Sequence, residues 1–362
     1  MDKENLRIGY VPMSDDLEFP GDRRRFIAYA QARNLKFTVA TPEERYDLVV
    51  LSQMADISVW CDYPHGKVVY DFIDSYLAIP RTNIRQWLRG LVKYAVGRHR
   101  RLRFDYRASL HNMCRRADAV ICSTKEQAGD IKPFCQNVHL VLDVQKTVVN
   151  RVKEDYCSGI PFNLVWEGLP INITKLNQIQ DVLKNLDKRR PLILNIVTDP
   201  EQSRGHYLLG RFGWIFGRIY SIDLARKVFD SVKLHIWDES TCSDIIRDCD
   251  LAVIPIDLSD PFAFGKPENK LLLFWRMGMP VVTSATPAYL RAMEAVGSED
   301  LACEGDKEWL TAIERMMDDE TLRHDVGQAG KEYADSFYSE EVLLARWDAM
   351  FSSIGFSFNK DV

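Results

Sequence analysis

Short apolar runs alternate with helix-length amphipathic stretches along the whole 362-residue chain. In the first half, residues 7–11, 36–40, 48–51, 68–70, 119–123 and 138–142 are brief β-branched or apolar runs ended by Pro, Ser, Asp or a polar turn, which predicts strands. Between them the spacing predicts a helix over 23–33 and a long one within 81–116. The pattern then restarts: 162–166, 192–197, 234–237, 251–255 and 281–283 read as buried strands, with helices over 175–186, 270–277 and 307–317. Continuous apolar strands alternating with helices imply parallel sheets covered on both faces. The expected architecture is α/β, with two doubly wound Rossmann-like domains and a cleft between them. The join is expected at 156–161, which gives domains over 1–156 and 157–338 and a terminal helix over 339–362.

Composition narrows the class. Hydrophobic residues are 46% and charged residues 27%, enough apolar material for two cores, and the net charge of -5 disfavours a general nucleic-acid binder. The eight cysteines form no C-x-x-C pair and no zinc-like spacing, and Cys122 sits inside an apolar run as a small hydrophobe. The opening MDKENLRIGYVP has no apolar signal core, and no run approaches a membrane span. A reduced, cytoplasmic chain is the expectation.

The densest chemical signal lies in 248–288, DCDLAVIPIDLSDPFAFGKPENKLLLFWRMGMPVVTSATPA. It reads as a strand, a loop, a helix opening at 267–269, a stop at Gly278, and a second strand. The free N–H groups of that helix start, beside Lys266 and Lys270, suit a diphosphate. The alternative is a core helix with a well-formed C-cap.

The run NKLLLFWRMGMPVV over 269–282 resembles the donor segment N-K-L-x-E-Y-M-A-x-G-x-P-V-V of family-4 GT-B glycosyltransferases. DCDLAVIP before it, ADAVICST over 117–124 and the aromatic helix over 333–354 resemble other elements of that family. The resemblance implies the GT-B fold and a nucleotide-sugar donor held by Lys266, Glu268, Asn269 and Lys270. Two departures stand out: Leu273 replaces the glutamate that holds the donor ribose, and WEGLPINITK, with Lys175 as the candidate cation, replaces the family's Arg and Lys. Glu268 is the nearest carboxylate to the family's earlier glutamate. No metal or other cofactor is required, since no D-x-D motif stands at a strand end and helix amides can take a cation's place.

Other positions carry two readings each. Trp237 and Asp238 end a strand, where the indole suits a nucleotide base or ordinary packing. Thr198 and Arg204 follow another strand, as phosphate contacts or a solvated loop. Asp22 is an N-cap or a catalytic carboxylate. Arg23, Arg24 and Arg25 at a helix start, where the macrodipole disfavours cations, suggest an anion to be held, such as an acceptor phosphate. Asp71 and Asp74 follow a strand and are candidates for positioning or deprotonating an acceptor hydroxyl, or for helix capping. The basic residues Arg81, Arg85, Arg89 and Lys93 recur every fourth position beside Trp87, Leu88, Leu91 and Val92. Residues 81–103 thus suit an anionic membrane surface, or form a packed helix with a wet basic face.

The expected activity is sugar transfer from a nucleotide donor to a hydroxyl of a glycan or lipid-linked acceptor, in surface polysaccharide synthesis. A sugar-nucleotide epimerase of the same fold and a non-catalytic nucleotide-sugar or glycan binder are the alternatives.

Overall fold

The computed structural model describes residues 6–80, 82–203 and 217–358. It contains two compact units, one made of residues 1–144 and 340–362 and one of residues 145–339. Residues 145–156, expected in the first domain, pack with the second unit. There Lys153 Nζ donates to the carbonyls of Arg247 (3.0 Å) and Cys249 (2.8 Å), and Tyr156 Oη donates to Gly278 O at 2.7 Å.

The first unit is built on six parallel strands: β1 (Ile8–Val11), β2 (Thr38–Val39), β3 (Leu48–Ser52), β4 (Lys67–Asp71), β5 (Ala119–Cys122) and β6 (Val138–Leu140). Their order is β2-β1-β3-β4-β5-β6, so the winding reverses between β1 and β3. Period-2 alternation divides the central strands between two cores. Val49, Leu51, Val68 and Tyr70 face one layer with Trp60, Leu110 and Met113. Leu48, Val50 and Val69 face the other, where the terminal helix Glu340–Ser353 supplies Trp347, Met350 and Phe351. Arg33 and Tyr29 bind Asp348 of that helix at 2.5 and 2.8 Å.

The sheet of the second unit contains β7 (Phe162–Glu167) and β8 (Leu192–Thr198). A small antiparallel ribbon follows, β9 (Glu201–Ser203) with β10 (Arg218–Tyr220). Then come β11 (Val232–Ile236), β12 (Leu251–Ile254), β13 (Val281–Ser284) and β14 (Ala302–Cys303). The six-stranded order β11-β8-β7-β12-β13-β14 is parallel throughout and reverses between β7 and β12. This mixed α/β architecture of two parallel sheets is the fold the pattern implied.

Local differences have local causes. The helix expected over 23–33 is two, Pro20–Arg23 and Phe26–Ala32, because Arg25 leaves helical geometry (φ -122°, ψ -111°). The stretch 81–116 also divides, into Ile84–Ala95 and Tyr106–Arg116, the second capped by Asp105 on Ala108 N at 2.9 Å. Gly278 ends the helix Asn269–Arg276 with φ +72°, a conformation that a Cβ disfavours. No described helix is long and apolar enough to cross a membrane. Cys122 is fully buried in β5, and burial pushes its thiol up to about 12.

Candidate functional site

A doubly wound sheet binds ligands beyond the carboxyl ends of its strands, where the winding reverses. In the second unit that point lies between β7 and β12, and a small pocket of about 70 Å³ is found there. Trp166 at the end of β7 and Ile254, Pro255 and Ile256 at the end of β12 form its apolar walls. Asn172, Lys175, Lys266, Lys270 and Tyr289 supply the polar groups.

Each cation is positioned by a short piece of local structure. After β12 the chain makes a turn of helix, Pro261–Phe264, capped by Asp260 on Phe262 N at 3.0 Å, and this delivers Lys266. Lys270 lies in the first turn of Asn269–Arg276, where the helix amides favour anions as well. Its Nζ donates to Glu167 O and sits 4.8 Å over the Trp166 ring and 4.0 Å from the Glu167 carboxylate. Burial pushes this ammonium below the usual lysine range and Lys266 adds to the push, against the pull of Glu167. Lys175 reaches Asp257 at 3.7 Å. Gly168 makes the approach of Lys270 possible: its φ is +157°, and a Cβ there would stand 2.7 Å from Lys270 Nζ. Tyr289 is 3% exposed, and burial raises its phenol far above the usual range.

Of the expected donor residues, Lys266 and Lys270 converge on this pocket. Glu268 and Asn269 share the helix start but are not among the residues that line the pocket. Glu268 Oε1 accepts from Tyr338 Oη at 3.1 Å, and Asn269 O accepts from Gln145 Nε2 at 2.8 Å. Trp237, Asp238 and Thr198 end β11 and β8 on the outer side of β7, away from the lining. There Trp237 N donates to Thr198 O at 3.0 Å and exposed Asp238 accepts from Ser240 N at 2.9 Å. Thr198 is 1% exposed, and its hydroxyl has no hydrogen-bond partner among the described residues. Arg204 lies outside the described residues. Leu273 is 2% exposed, packed in the core. Trp166, Asn172 and Tyr289 were not anticipated: Trp166 belongs to an apolar run, and only the strand order shows that its end meets β12.

The first unit corrects the reading of its acidic and basic candidates. Arg25 is fully buried and does hold an anion, but the anion is the protein's own. Its guanidinium donates to both oxygens of Asp71 (2.6 and 2.7 Å), to Asp143 (2.9 Å) and to Val141 O (3.0 Å). Asp71 is therefore a structural partner; burial raises its carboxyl against the pull of Arg25. Asp22 is not an N-cap, since it falls third in Pro20–Arg23. Fully buried, it accepts from Tyr10 Oη (2.5 Å), Met13 N (2.8 Å) and Ser14 N (3.0 Å), which fixes the loop after β1. Arg23 Nε donates to Glu18 O at 2.9 Å, and Arg24 ends the short helix with its N–H on Pro20 O at 3.0 Å. Asp74 accepts from Gln53 Nε2 at 2.7 Å and its carbonyl accepts from Gln127 Nε2 at 3.1 Å.

The basic segment is also turned differently from the expected stripe. Arg89 and Lys93 point to Tyr76 Oη and Tyr106 Oη, each at 2.9 Å, while Leu88, Leu91, Tyr94 and Phe104 are exposed. Arg81 lies outside the described residues, as do the side chains of Arg85 and Trp87.

Two parallel six-stranded units, the second with a cation-lined pocket where its winding reverses, define a protein of the GT-B glycosyltransferase fold. No protein-family model matches the sequence, and no curated protein matches it. Among solved structures, a glycosyltransferase from Rickettsia africae aligns at TM-score 0.56 and 10% identity, over 98% of this chain and 100% of that one. Sucrose-phosphate synthase from Thermosynechococcus elongatus aligns at 0.55 and 13%, over 95% and 80%. A putative UDP-N-acetylglucosamine 2-epimerase from Listeria monocytogenes aligns at 0.51 and 12%, over 95% of each chain. At these identities the likeness is one of fold.

Proposed function

We propose that this chain is a glycosyltransferase that moves a sugar from a nucleotide donor to a hydroxyl of a glycan or lipid-linked acceptor. The observation that carries this reading is the pocket at the β7–β12 reversal, where Lys175, Lys266 and Lys270 surround a space lined also by Tyr289. Three ammonium groups and a helix start together favour the two negative charges of a diphosphate. Trp166 and the Ile254–Ile256 wall supply the apolar surface that a sugar or base ring packs against. The bond from the anomeric carbon to the diphosphate oxygen breaks, the lysines stabilise the charge left on that oxygen, and the acceptor oxygen forms the new bond. The proton of the acceptor hydroxyl passes to solvent as the new bond forms. Exposed Leu88, Leu91 and Tyr94 suit an acceptor with an apolar tail at a membrane surface, and synthesis of a surface polysaccharide is the setting this implies.

The epimerase reading keeps one support, the likeness over 95% of both chains to the Listeria enzyme. Incubation with a panel of uridine, guanosine and cytidine sugar nucleotides separates the readings. Turnover that needs an added acceptor supports transfer, turnover without one supports epimerisation, and binding without turnover leaves a nucleotide-sugar binder.

A further inference from the structure

Fourteen large apolar side chains stand exposed among the described residues, and five of them fall within 88–104: Leu88, Leu91, Tyr94, Leu102 and Phe104. Single exposed apolar residues need no explanation, but a concentration of them marks an interaction surface.

The fold builds this face by turning its polar groups inward. Leu88, Leu91 and Tyr94 follow at steps of three, which sets them on one side of Ile84–Ala95. Arg89 and Lys93 take another side and donate to Tyr76 Oη and Tyr106 Oη, each at 2.9 Å. After Gly97 (φ +73°) the chain turns back, and Arg103 O occupies the space that a Cβ at Gly90 would need. The polar side of this returning segment is tied down at the short helix Ile57–Trp60 and its cap. Asp56 accepts from Arg100 N at 2.8 Å, Ser58 Oγ from Arg101 N at 3.1 Å, and Ser58 O from the Arg103 guanidinium at 3.1 Å. Leu102 and Phe104 alternate with these anchors and remain in water, Phe104 at 67% exposure.

Charge decides what the face meets. Residues 81–104 carry eight lysines and arginines and no carboxylate, in a chain of net charge -5. Glu43, Asp56 and Asp62 reach this segment, and Asp74 and Asp105 lie beside it, which still leaves a positive surplus around the apolar side chains. We infer that Leu88, Leu91, Tyr94, Leu102 and Phe104 form a face that docks on an anionic lipid surface. The apolar side chains enter the boundary between headgroups and acyl chains, and the surrounding cations meet lipid phosphates. Tyr94 suits that boundary, since its ring is apolar and its hydroxyl polar. A second copy of this chain would bring a like charge to the face. The inference names the surface on which a lipid-linked acceptor is met, and in that assignment it rests on the transferase reading. Docking itself needs no donor.

The test is flotation of the full chain, without nucleotide and at low salt, with phosphatidylcholine vesicles that contain or lack phosphatidylglycerol. The chain is expected to float with the anionic vesicles, and Leu91→Asp combined with Phe104→Asp to lower its partitioning by roughly tenfold or more. Val39→Asp, at another exposed apolar position of the same unit, should leave flotation unchanged. Melting temperatures show whether the variants are folded. Phe104→Trp, which keeps the apolar surface, should add quenching by brominated lipid beyond that of the parent. No flotation, equal flotation with neutral vesicles, equal flotation of the double variant, or no added quenching each overturns the docking face. Dimerisation in sedimentation velocity that the double variant abolishes, without flotation, gives the face to a second copy and overturns it too. None of these outcomes touches the donor pocket; absent donor turnover with flotation retained fails the transferase reading and leaves this face.

Discussion

At the carboxyl edge of the first sheet, Arg25 is enclosed by Asp71, Asp143 and the Val141 carbonyl, while at the same edge of the second, Lys266 and Lys270 line an open pocket. Both places gather positive charge, and both were marked by basic residues beside a helix start. They differ in who supplies the anion. Arg25 has no exposed surface and the chain provides its counter-charges, so its role is to tie β4 and the segment after β6 to the second helix. Lys270 meets a carbonyl, a ring face and a carboxylate 4.0 Å away, and a quarter of its side chain remains open. A cation whose charge is balanced by the fold reports on stability; one that borders a cavity reports on binding.

That contrast is broken most severely at Arg25. Arg25→Ala leaves two carboxylates without their partner and is expected to destabilise the chain by about 3–5 kcal/mol in chemical denaturation. Without the guanidinium, burial raises the carboxyl of Asp71 unopposed. The fold then holds a proton that the unfolded chain releases, so the deficit should narrow as pH falls. Pairing Arg25→Met with Asp71→Leu should recover much of the loss. A small effect that is the same at all pH would mean that the triad does not act as one.

Leu273→Glu sharpens the comparison from the other side. A carboxylate placed at a position 2% exposed has no counter-charge, and roughly 2–3 kcal/mol of stability should be lost with no gain in affinity for any nucleotide. A tighter complex with a uridine or guanosine nucleotide would show instead that the resemblance extends to how the ribose is held.

Lys266→Ala and Lys270→Ala should do the opposite of Arg25→Ala. Each removes a charge-assisted contact of about 1.5–3 kcal/mol to a diphosphate, which is roughly ten- to a hundredfold in affinity, while the melting temperature scarcely changes. Unaltered nucleotide binding in both would empty the pocket of its assigned role. The smallest effect belongs to Tyr289→Phe, where loss of a neutral hydroxyl should cost about 0.5–1.5 kcal/mol of nucleotide binding, read by calorimetry with stability unchanged.

The fold was legible because buried parallel strands are continuous apolar runs, and 48–51 and 251–255 announce themselves as such. Thr38–Val39 and Ala302–Cys303 are two-residue edge strands, too short to carry a pattern. Lys266 and Lys270 were visible because a Pro-opened, Gly-closed helix is a local signal. Trp166 and Tyr289 were not, because their place in the pocket depends on strand order, which is non-local. Arg25 and Asp71 stand 46 positions apart, so nothing in either neighbourhood says that each is the other's partner. The every-fourth-residue spacing of Arg89 and Lys93 placed them on one helix side, but not which side met the protein.

The terminal helix gives this chain an order of assembly. Residues 145–339 form the second unit without interruption, so it has all its parts as soon as they leave the ribosome. The first unit starts earlier but lacks Trp347, Met350 and Phe351, three of its buried core side chains, until Glu340–Ser353 is made. At the usual 5–20 residues per second, synthesis of the intervening unit takes roughly 10–40 s. Throughout that interval Phe26 and Tyr29, which the Trp347 indole will cover, remain uncapped. The part of the protein that begins first is finished last, and its exposed aromatic face is where a nascent-chain chaperone has longest to act.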